Sequence, residues 1–147
     1  MTAGPYGWKG DAATFEDHVH TTITNLDGKG LPEGALADLG AFVKSLPKLP
    51  GARGLDAAAE RGKELFASAD CGSCHAKGAS DRAVHYVGTG GPFLTPTLTG
   101  VATRGQLMHD GRFKNLDDLL AGSPGMGRAT TLATEDRRAL LHYLETL

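Results

Sequence analysis

Residues 71–75 read Cys-Gly-Ser-Cys-His, and they constrain this chain more than any other stretch. In such a sequence the two thiols can each add to a vinyl group of haem, and the adjoining histidine can supply an axial nitrogen to the iron. A thioredoxin-like redox pair is disfavoured because no βαβ pattern surrounds the cysteines. A zinc site is disfavoured because the chain has only two cysteines. The motif predicts one haem c, bound covalently through Cys71 and Cys74, with His75 as an axial ligand.

Length and composition limit the kinds of protein that could carry this motif. The 147 residues are within the range of one domain. The formal net charge is −2 and there is no cluster of Lys and Arg, so we expect no nucleic-acid partner. No apolar run reaches the roughly 18 residues that a membrane-spanning helix needs. The 21 glycines, about twice the average usage, predict long loops that can pack against a porphyrin.

The first ten residues are polar and rich in glycine, and they do not resemble a signal peptide. Haem attachment to a Cys-x-x-Cys-His motif normally takes place after export. We therefore expect a periplasmic or other extracytoplasmic protein. We also expect the sequence to be a mature form or a piece of a longer protein.

Helical periodicity predicts an all-α fold. The first helix is predicted to begin after Thr14, which can form a capping box with Asp17. Residues 76–106 lack periodicity and are predicted to be loop. We divide the chain into an N-terminal helix pair at 1–50 and a mono-haem domain at 51–147. The other predicted helices run over 32–46, over 56–69 before the cysteine motif, over 116–121 after the cap Asn115, and from the cap Thr134 onwards.

Residues 1–47 resemble the C-terminal part of the chain when the sequence is shifted by 101 positions. The matched pairs include Thr14 with Asn115, Leu39 with Leu140, Phe42 with Tyr143 and Val43 with Leu144. We interpret residues 1–47 as the back half of a haem domain whose front half lies outside this sequence. Chance similarity between two amphipathic helix pairs is the alternative. Asn25 takes the place of Met126 in this comparison, so the helix pair alone is not expected to hold a haem.

The third helix, the cysteine motif, the following Gly–Pro loop and the last helix together resemble a class I cytochrome c. The resemblance implies that Gly62 and Phe66 cross the terminal helix in the region of Tyr143. It also implies that a carbonyl of the Gly–Pro segment orients the proximal histidine. Pro92, which follows Gly91, is the candidate for that role beside His75.

Residues 92–147 resemble more closely the second half of the bacterial di-haem cytochrome c peroxidase superfamily. The similarity lies in Phe93-Leu-Thr-Pro-Thr-Leu-Thr-Gly-Val-Ala, in Met108-His-Asp-Gly and in Leu116-Asp-Asp-Leu-Leu. In that family a methionine before the terminal helix ligates the electron-transfer haem. The resemblance therefore implies Met126 as the sixth ligand of the iron.

The sixth ligand decides between possible functions. Met126 lies in a Gly-Pro-Gly-Met-Gly loop, and a thioether ligand raises the reduction potential and suits electron transfer. Met108, His109 and His85 are the alternative ligands. An open iron face would instead allow peroxide or a gas to bind. We expect His142, in the last helix, to be a surface group.

These observations favour one-electron transfer by a single haem c with His75 and Met126 as axial ligands. A redox partner protein or an adjoining haem domain would exchange the electron. The alternatives are a fragment of a di-haem cytochrome c peroxidase-like enzyme and a haem-based binder of small ligands. The isolated chain is not expected to be a peroxidase, because that reaction needs two haems and the chain has one motif.

Overall fold

The computed structural model of this protein describes residues 4–49 and 51–147, without the side chain of Lys77. The described residues form five α-helices and a small two-stranded sheet, which confirms the predicted, mostly helical fold class. The chain divides into two compact units, Met1–Pro47 and Lys48–Leu147, called unit 1 and unit 2 below. The domain boundary predicted at residue 50 falls on a residue outside the described ranges.

Unit 1 consists of a short loop and two helices, α1 (Phe15–Asn25) and α2 (Glu33–Ser45). The predicted capping box begins α1. The Asp17 backbone N–H donates to the Thr14 hydroxyl at 3.0 Å, and the Thr14 N–H donates to the Asp17 carboxylate at 3.2 Å. The two helices pack where Gly40 of α2 faces the ring of Phe15.

Unit 1 buries little apolar surface. Within its described part, Ala12 and Gly40 are the residues that reach full burial. Several large apolar side chains remain exposed, namely Trp8, Leu26, Leu31, Phe42 and Leu46. The described residues of unit 1 therefore bury much less apolar surface than a typical domain does. Hydrophobic burial within unit 1 contributes correspondingly little to its stability.

Unit 2 contains three α-helices, α3 (Ala57–Ser68), α4 (Leu116–Gly122) and α5 (Thr134–Leu144). Asp56 and Asn115 cap α3 and α4 by accepting backbone N–H groups at 2.8 Å. The predicted cap of α5 is wrong by one residue. Thr134 is the first helical residue, and Ala133 precedes it without a side-chain hydrogen bond.

Residues 76–106, which were predicted to be loop, contain an antiparallel hairpin and short 3-10 turns. The strands are β1 (Val84–Tyr86) and β2 (Pro92–Leu94), with His85 opposite Phe93. Strands of three residues are too short to show an alternating pattern in the sequence. The glycines at 88, 90 and 91 lie at the tip of this hairpin, and two of them adopt a positive φ.

The core of unit 2 forms where α3 crosses α5. Gly62 lies against the carbonyl of Ala139 and the Cβ of Tyr143, so the two backbones approach closely. The rings of Phe66 and Tyr143 make an edge-to-face contact with centroids 5.4 Å apart. Leu140 is fully buried at this crossing. The crossing implied by the resemblance to class I cytochromes c is confirmed.

Candidate haem-binding site

The Cys-x-x-Cys-His motif forms one tight turn at the end of α3. Asp70 adopts a left-handed conformation with φ 66° and directs the chain into a 3-10 turn over Cys71–Ser73. The backbone N–H of His75 donates to the carbonyl of Cys71 at 3.0 Å. Cys71 and Cys74 are free thiols, each partly buried. Both sulfurs and the imidazole are therefore presented from five consecutive residues next to a rigid helix.

The environment of Cys71 does not favour a thiolate. Burial raises the pKa of the Cys71 thiol, and the nearby Asp70 carboxylate raises it further. A thiol with a raised pKa is a poor nucleophile in disulfide exchange, since that reaction uses the thiolate. This agrees with the sequence argument against a redox pair.

His75 is suited to bind iron as a neutral imidazole. Burial lowers the pKa of His75, which favours the uncharged ring that metals require. Its Nδ1 is buried and makes no hydrogen bond to any described residue. The backbone carbonyls of Ala79 and Pro96 lie near the ring and act in the opposite direction on its pKa. A partly buried imidazole whose lowered pKa favours the neutral ring, beside two free thiols, fits a covalent haem.

The backbone carbonyls that act on the pKa of His75 are those of Ala79 and Pro96, and Pro92, which the resemblance implied, is not among them. Pro96 lies in a segment that hydrogen bonds fasten to the motif, with the Leu98 N–H donating to the carbonyl of Gly78 at 2.9 Å. Pro92 lies instead in β2, opposite Tyr86. Sequence reasoning missed Pro96, although it stands in the Thr-Pro-Thr-Leu sequence that supported the family resemblance.

Arg104 holds the Pro96 segment in place. Its Nη2 donates to the carbonyl of Thr97 at 2.8 Å and to that of Thr99 at 3.3 Å. Burial lowers the pKa of Arg104, but a guanidinium starts so high that it remains charged. The sequence argument did not single out this contact, which depends on how the chain turns back after residue 100.

The loop that carries Met126 is anchored on two sides. Gly127, with φ 60°, lies against the carbonyl of Ala69, and the Arg128 N–H donates to the same carbonyl at 2.8 Å. On the other side, Gly125 lies against the carbonyl of Val87. Met126 itself is partly buried between these anchors. The loop therefore runs from the start of the cysteine turn to the β1–β2 hairpin.

The alternative ligands have other contacts. The His109 ring stacks on Phe93, with centroids 3.8 Å apart and an angle of 19° between the planes. His85 Nε2 lies 2.6 Å from a carboxylate oxygen of Asp81. Met108 is partly buried and adopts a left-handed conformation with φ 69°. To bind the iron, His85 would have to give up its contact with Asp81, and His109 would have to give up its contact with Phe93.

Cys74, Asp81 and His85 each place one potential ligand atom within 4.8 Å of the others. Such a trio could hold a metal ion if Cys74 were a thiolate. In a Cys-x-x-Cys-His motif, however, the Cys74 sulfur is consumed by the thioether bond to haem. The trio then reduces to a histidine–carboxylate pair beside the attached sulfur.

Three further side-chain polar atoms are buried without a hydrogen bond among the described residues. One is Nδ1 of His142, which is partly buried in α5. The side chain of His142 remains partly exposed, as the prediction of a surface group expects, but its Nδ1 is shielded from solvent. The others are the hydroxyl of Thr89, at the tip of the β1–β2 hairpin, and Nε of Arg137 in α5. Buried polar atoms normally have a partner.

None of the described helices is both long and apolar enough to cross a membrane. Comparison with curated protein sequences finds no match. A solved structure of hydrazine synthase from Kuenenia stuttgartiensis, pressurized with 20 bar xenon, is similar in fold. The similarity covers 99% of this chain and 68% of the matched chain, with a TM-score of 0.82 and 18% sequence identity.

The family comparison agrees with the geometry of the site. The family model described as Cytochrome c matches residues 59–147, which include α3, the cysteine turn, the Pro96 segment, the Met126 loop and α5. This match covers more than half of the chain. This match, over a sequence in which α3 leads into two free thiols and a partly buried imidazole, shows that the chain belongs to the cytochrome c family.

Proposed function

We propose that this chain transfers single electrons through one haem c with His75 and Met126 as axial ligands. Membership of the cytochrome c family implies a covalently bound haem and haem-based electron transfer. When bound, the haem supplies an iron that alternates between the ferric and ferrous states. The anchoring of the Met126 loop at Ala69, two residues before Cys71, is the observation that carries the choice of ligands.

The residues of the cysteine turn would fix the cofactor. Cys71 and Cys74 would form the two thioether bonds, and the 3-10 turn would hold the ring against the end of α3. His75 would bind the iron as a neutral imidazole. A carbonyl that accepts the remaining ring N–H of a ligating histidine orients the ring and makes it a stronger donor. We assign this role to Pro96 rather than to Pro92.

Met126 would close the other face of the iron. Gly125 and Gly127 allow the loop to approach Val87 and Ala69 because neither residue has a Cβ. A thioether ligand favours the ferrous state and so raises the reduction potential. It also leaves no open coordination position for peroxide or a gas. The protein thus binds the cofactor and excludes water, and no proton donor or nucleophile is needed.

The electron partner would be a redox protein or an adjoining haem domain. The resemblance of residues 92–147 to di-haem peroxidases favours an adjoining domain. We also propose a periplasmic or other extracytoplasmic location, because haem is normally attached to this motif after export. The fragment of a peroxidase-like enzyme and the small-ligand binder are the competing hypotheses, and both predict a haem that reacts with external ligands.

Optical spectroscopy of the purified holoprotein tests the proposal. We expect a low-spin spectrum, a weak charge-transfer band from methionine to ferric iron, and a ferrous spectrum that carbon monoxide does not change. Met126→Ala should abolish the charge-transfer band and allow carbon monoxide to bind. Met108→Ala is the matched control and should leave both features intact. A high-spin wild-type spectrum, or loss of the band only in Met108→Ala, would overturn the assignment.

A further inference from the structure

Leu147, which follows the end of α5, contacts two segments that are distant in sequence. Its backbone N–H donates to the carbonyl of Leu144 at 3.2 Å and so extends the end of the helix by a 3-10 type turn. Its own carbonyl accepts the N–H of Gly100 at 2.9 Å. Its side chain lies against the backbone of Gly78. These two glycines belong to the two segments whose carbonyls lie near the ring of His75.

The first contact is on the turn that follows His75. The N–H of Gly78 donates to the carbonyl of His75 at 2.9 Å. Gly78 has a φ of 76°, and a Cβ on it would lie 3.0 Å from Cδ1 of Leu147, so the leucine packs directly on the backbone of this turn. The next residue, Ala79, provides one of the two backbone carbonyls that act on the His75 ring. The side chain of Leu147 therefore supports the backbone that carries this carbonyl.

The second contact is on the segment that begins at Pro96, whose carbonyl also acts on the histidine ring. Gly100 ends this segment with a φ of 65°, and its N–H is bound by the carbonyl of Leu147. Within the segment, the N–H of Leu98 donates to the carbonyl of Gly78 at 2.9 Å. Leu98 and Leu147 are both partly buried against the core of unit 2. The Pro96 segment is thus attached to the turn at one point and to Leu147 at another.

The alignment of His75 depends on how these two segments lie relative to each other. Its Nδ1 is buried and makes no hydrogen bond to any described residue, although the carbonyls of Ala79 and Pro96 lie near the ring. Ser80 links the segments once more, since its hydroxyl donates to the carbonyl of Thr95 at 2.6 Å. A hydrogen bond weakens steeply as its angle departs from linearity. A small change in the spacing of the two segments is therefore enough to decide how well the ring N–H is bound.

We infer that Leu147 is a positioning residue for His75, which packs the turn after the motif and the Pro96 segment together and so keeps a carbonyl aligned with the ring N–H. This role rests on the proposed ligation of the iron by His75, and it does not depend on Met126. A carbonyl that accepts this N–H makes the imidazole a stronger donor to the iron, and a stronger donor favours the ferric state. The packing of Leu147 therefore contributes to the reduction potential, although the residue belongs to no haem-binding motif.

Proton NMR of the ferrous holoprotein tests this role at the His75 ring itself. We expect Leu147→Ala to speed exchange of the His75 Nδ1 proton with water by at least about tenfold, because the protecting hydrogen bond opens more often. The reduction potential of the same variant should rise. We expect the equilibrium constant for reduction to increase about threefold, which is about 30 mV when a tenfold change is about 59 mV for one electron.

Three further variants separate positioning from general packing. Leu141 is also partly buried against the same core, within α5, so Leu141→Ala should lower stability while exchange and potential stay at the wild-type values. Leu147→Met nearly preserves the side-chain volume and should restore both readouts almost to wild type. Leu147→Val is the milder truncation, and both of its readouts should lie between those of the wild type and Leu147→Ala. It replaces the alanine variant if that protein does not fold.

Two kinds of outcome contradict this role, and they are distinguishable. If the ring signals of His75 in the wild type lack the shifts that a haem ring current causes, His75 is not the ligand and the proposed function fails as well. If those shifts are present but Leu147→Ala and Leu147→Val exchange as slowly as the wild type, the ligation stands and only the role of Leu147 is refuted. Equal changes in Leu147→Ala and Leu141→Ala would also refute it, because general packing would then account for both.

Discussion

Gly62 in α3 lies so close to the backbone carbonyl of Ala139 in α5 that a Cβ at residue 62 would overlap it. We predict that Gly62→Ala lowers the free energy of unfolding of the holoprotein by about 1–3 kcal/mol, the usual cost of overpacking. This loss outweighs the gain of about 1 kcal/mol that alanine brings to a helix interior. Urea unfolding followed by far-UV circular dichroism would measure it.

Gly34 provides the control for this substitution. It lies in the first turn of α2, and a Cβ there would meet no atom within 4 Å. Gly34→Ala should leave the free energy of unfolding unchanged or raise it by less than about 1 kcal/mol. If Gly62→Ala proved as harmless as Gly34→Ala, the close crossing of α3 and α5 would be refuted.

Arg104 should stabilise the segment that faces the proximal histidine. We predict that Arg104→Ala lowers the free energy of unfolding by about 1–3 kcal/mol, because the carbonyls of Thr97 and Thr99 lose a charged donor. Arg112→Ala, which removes a surface pair with Asp110, should have a smaller effect. Thermal unfolding of the two holoproteins compares them, and equal losses would contradict the prediction.

Gly127 should control the position of the Met126 loop. Its φ of 60° strains any residue with a Cβ, and that Cβ would overlap the carbonyl of Ala69. We predict that Gly127→Ala weakens the methionine-to-iron charge-transfer band of the ferric holoprotein. Gly105→Ala, where a Cβ meets nothing within 4 Å, should leave the band unchanged. An unaltered band in Gly127→Ala would show that this contact does not place the ligand.

Asp56 should make unit 2 less stable in acid. The N–H of Ala59 is the main group that lowers the pKa of Asp56; burial opposes it, and Arg53 and His142 lower the pKa further. Because the folded-state pKa lies below the unfolded value near 3.8, this stability is present above about pH 4 and is lost as pH falls through the folded pKa.

The substitution Asp56→Asn separates charge from capping. Asparagine keeps a cap acceptor but does not ionise. The fall in the thermal unfolding midpoint between about pH 7 and about pH 3 should therefore be smaller in Asp56→Asn than in the wild type. Parallel falls in the two proteins would show that Asp56 does not carry the acid sensitivity.

The helices and their caps could be predicted because the signals are local. Thr14, Asp56 and Asn115 each accept an N–H three residues further along the chain. The cysteine motif is equally local, since five consecutive residues define it. The resemblance of residues 1–47 to the C-terminal part of the chain was also visible in the sequence, and the interpretation of these residues as part of a haem domain stays a prediction.

The remaining parts of the site depend on contacts between distant segments. Pro96 reaches His75 because its segment is hydrogen-bonded to Gly78, and no sequence pattern encodes that pairing. The β1–β2 hairpin has strands too short to show a period. The burial of Nδ1 of His142 could not be predicted, because an amphipathic pattern does not show how far the neighbouring elements cover the edge of a helix face.

The crossing of α3 and α5 also has a consequence for the order of events during biosynthesis. Thr134 follows Cys74 by about sixty residues, so a chain exported unfolded from its N-terminus presents the cysteine turn to the attachment machinery before the helix that closes the core. Until α5 arrives, Gly62 and Phe66 have no partner and the thiols remain accessible. The fold thereby leaves an interval in which haem can be attached, and the late arrival of α5 ends it by locking the modified turn in place.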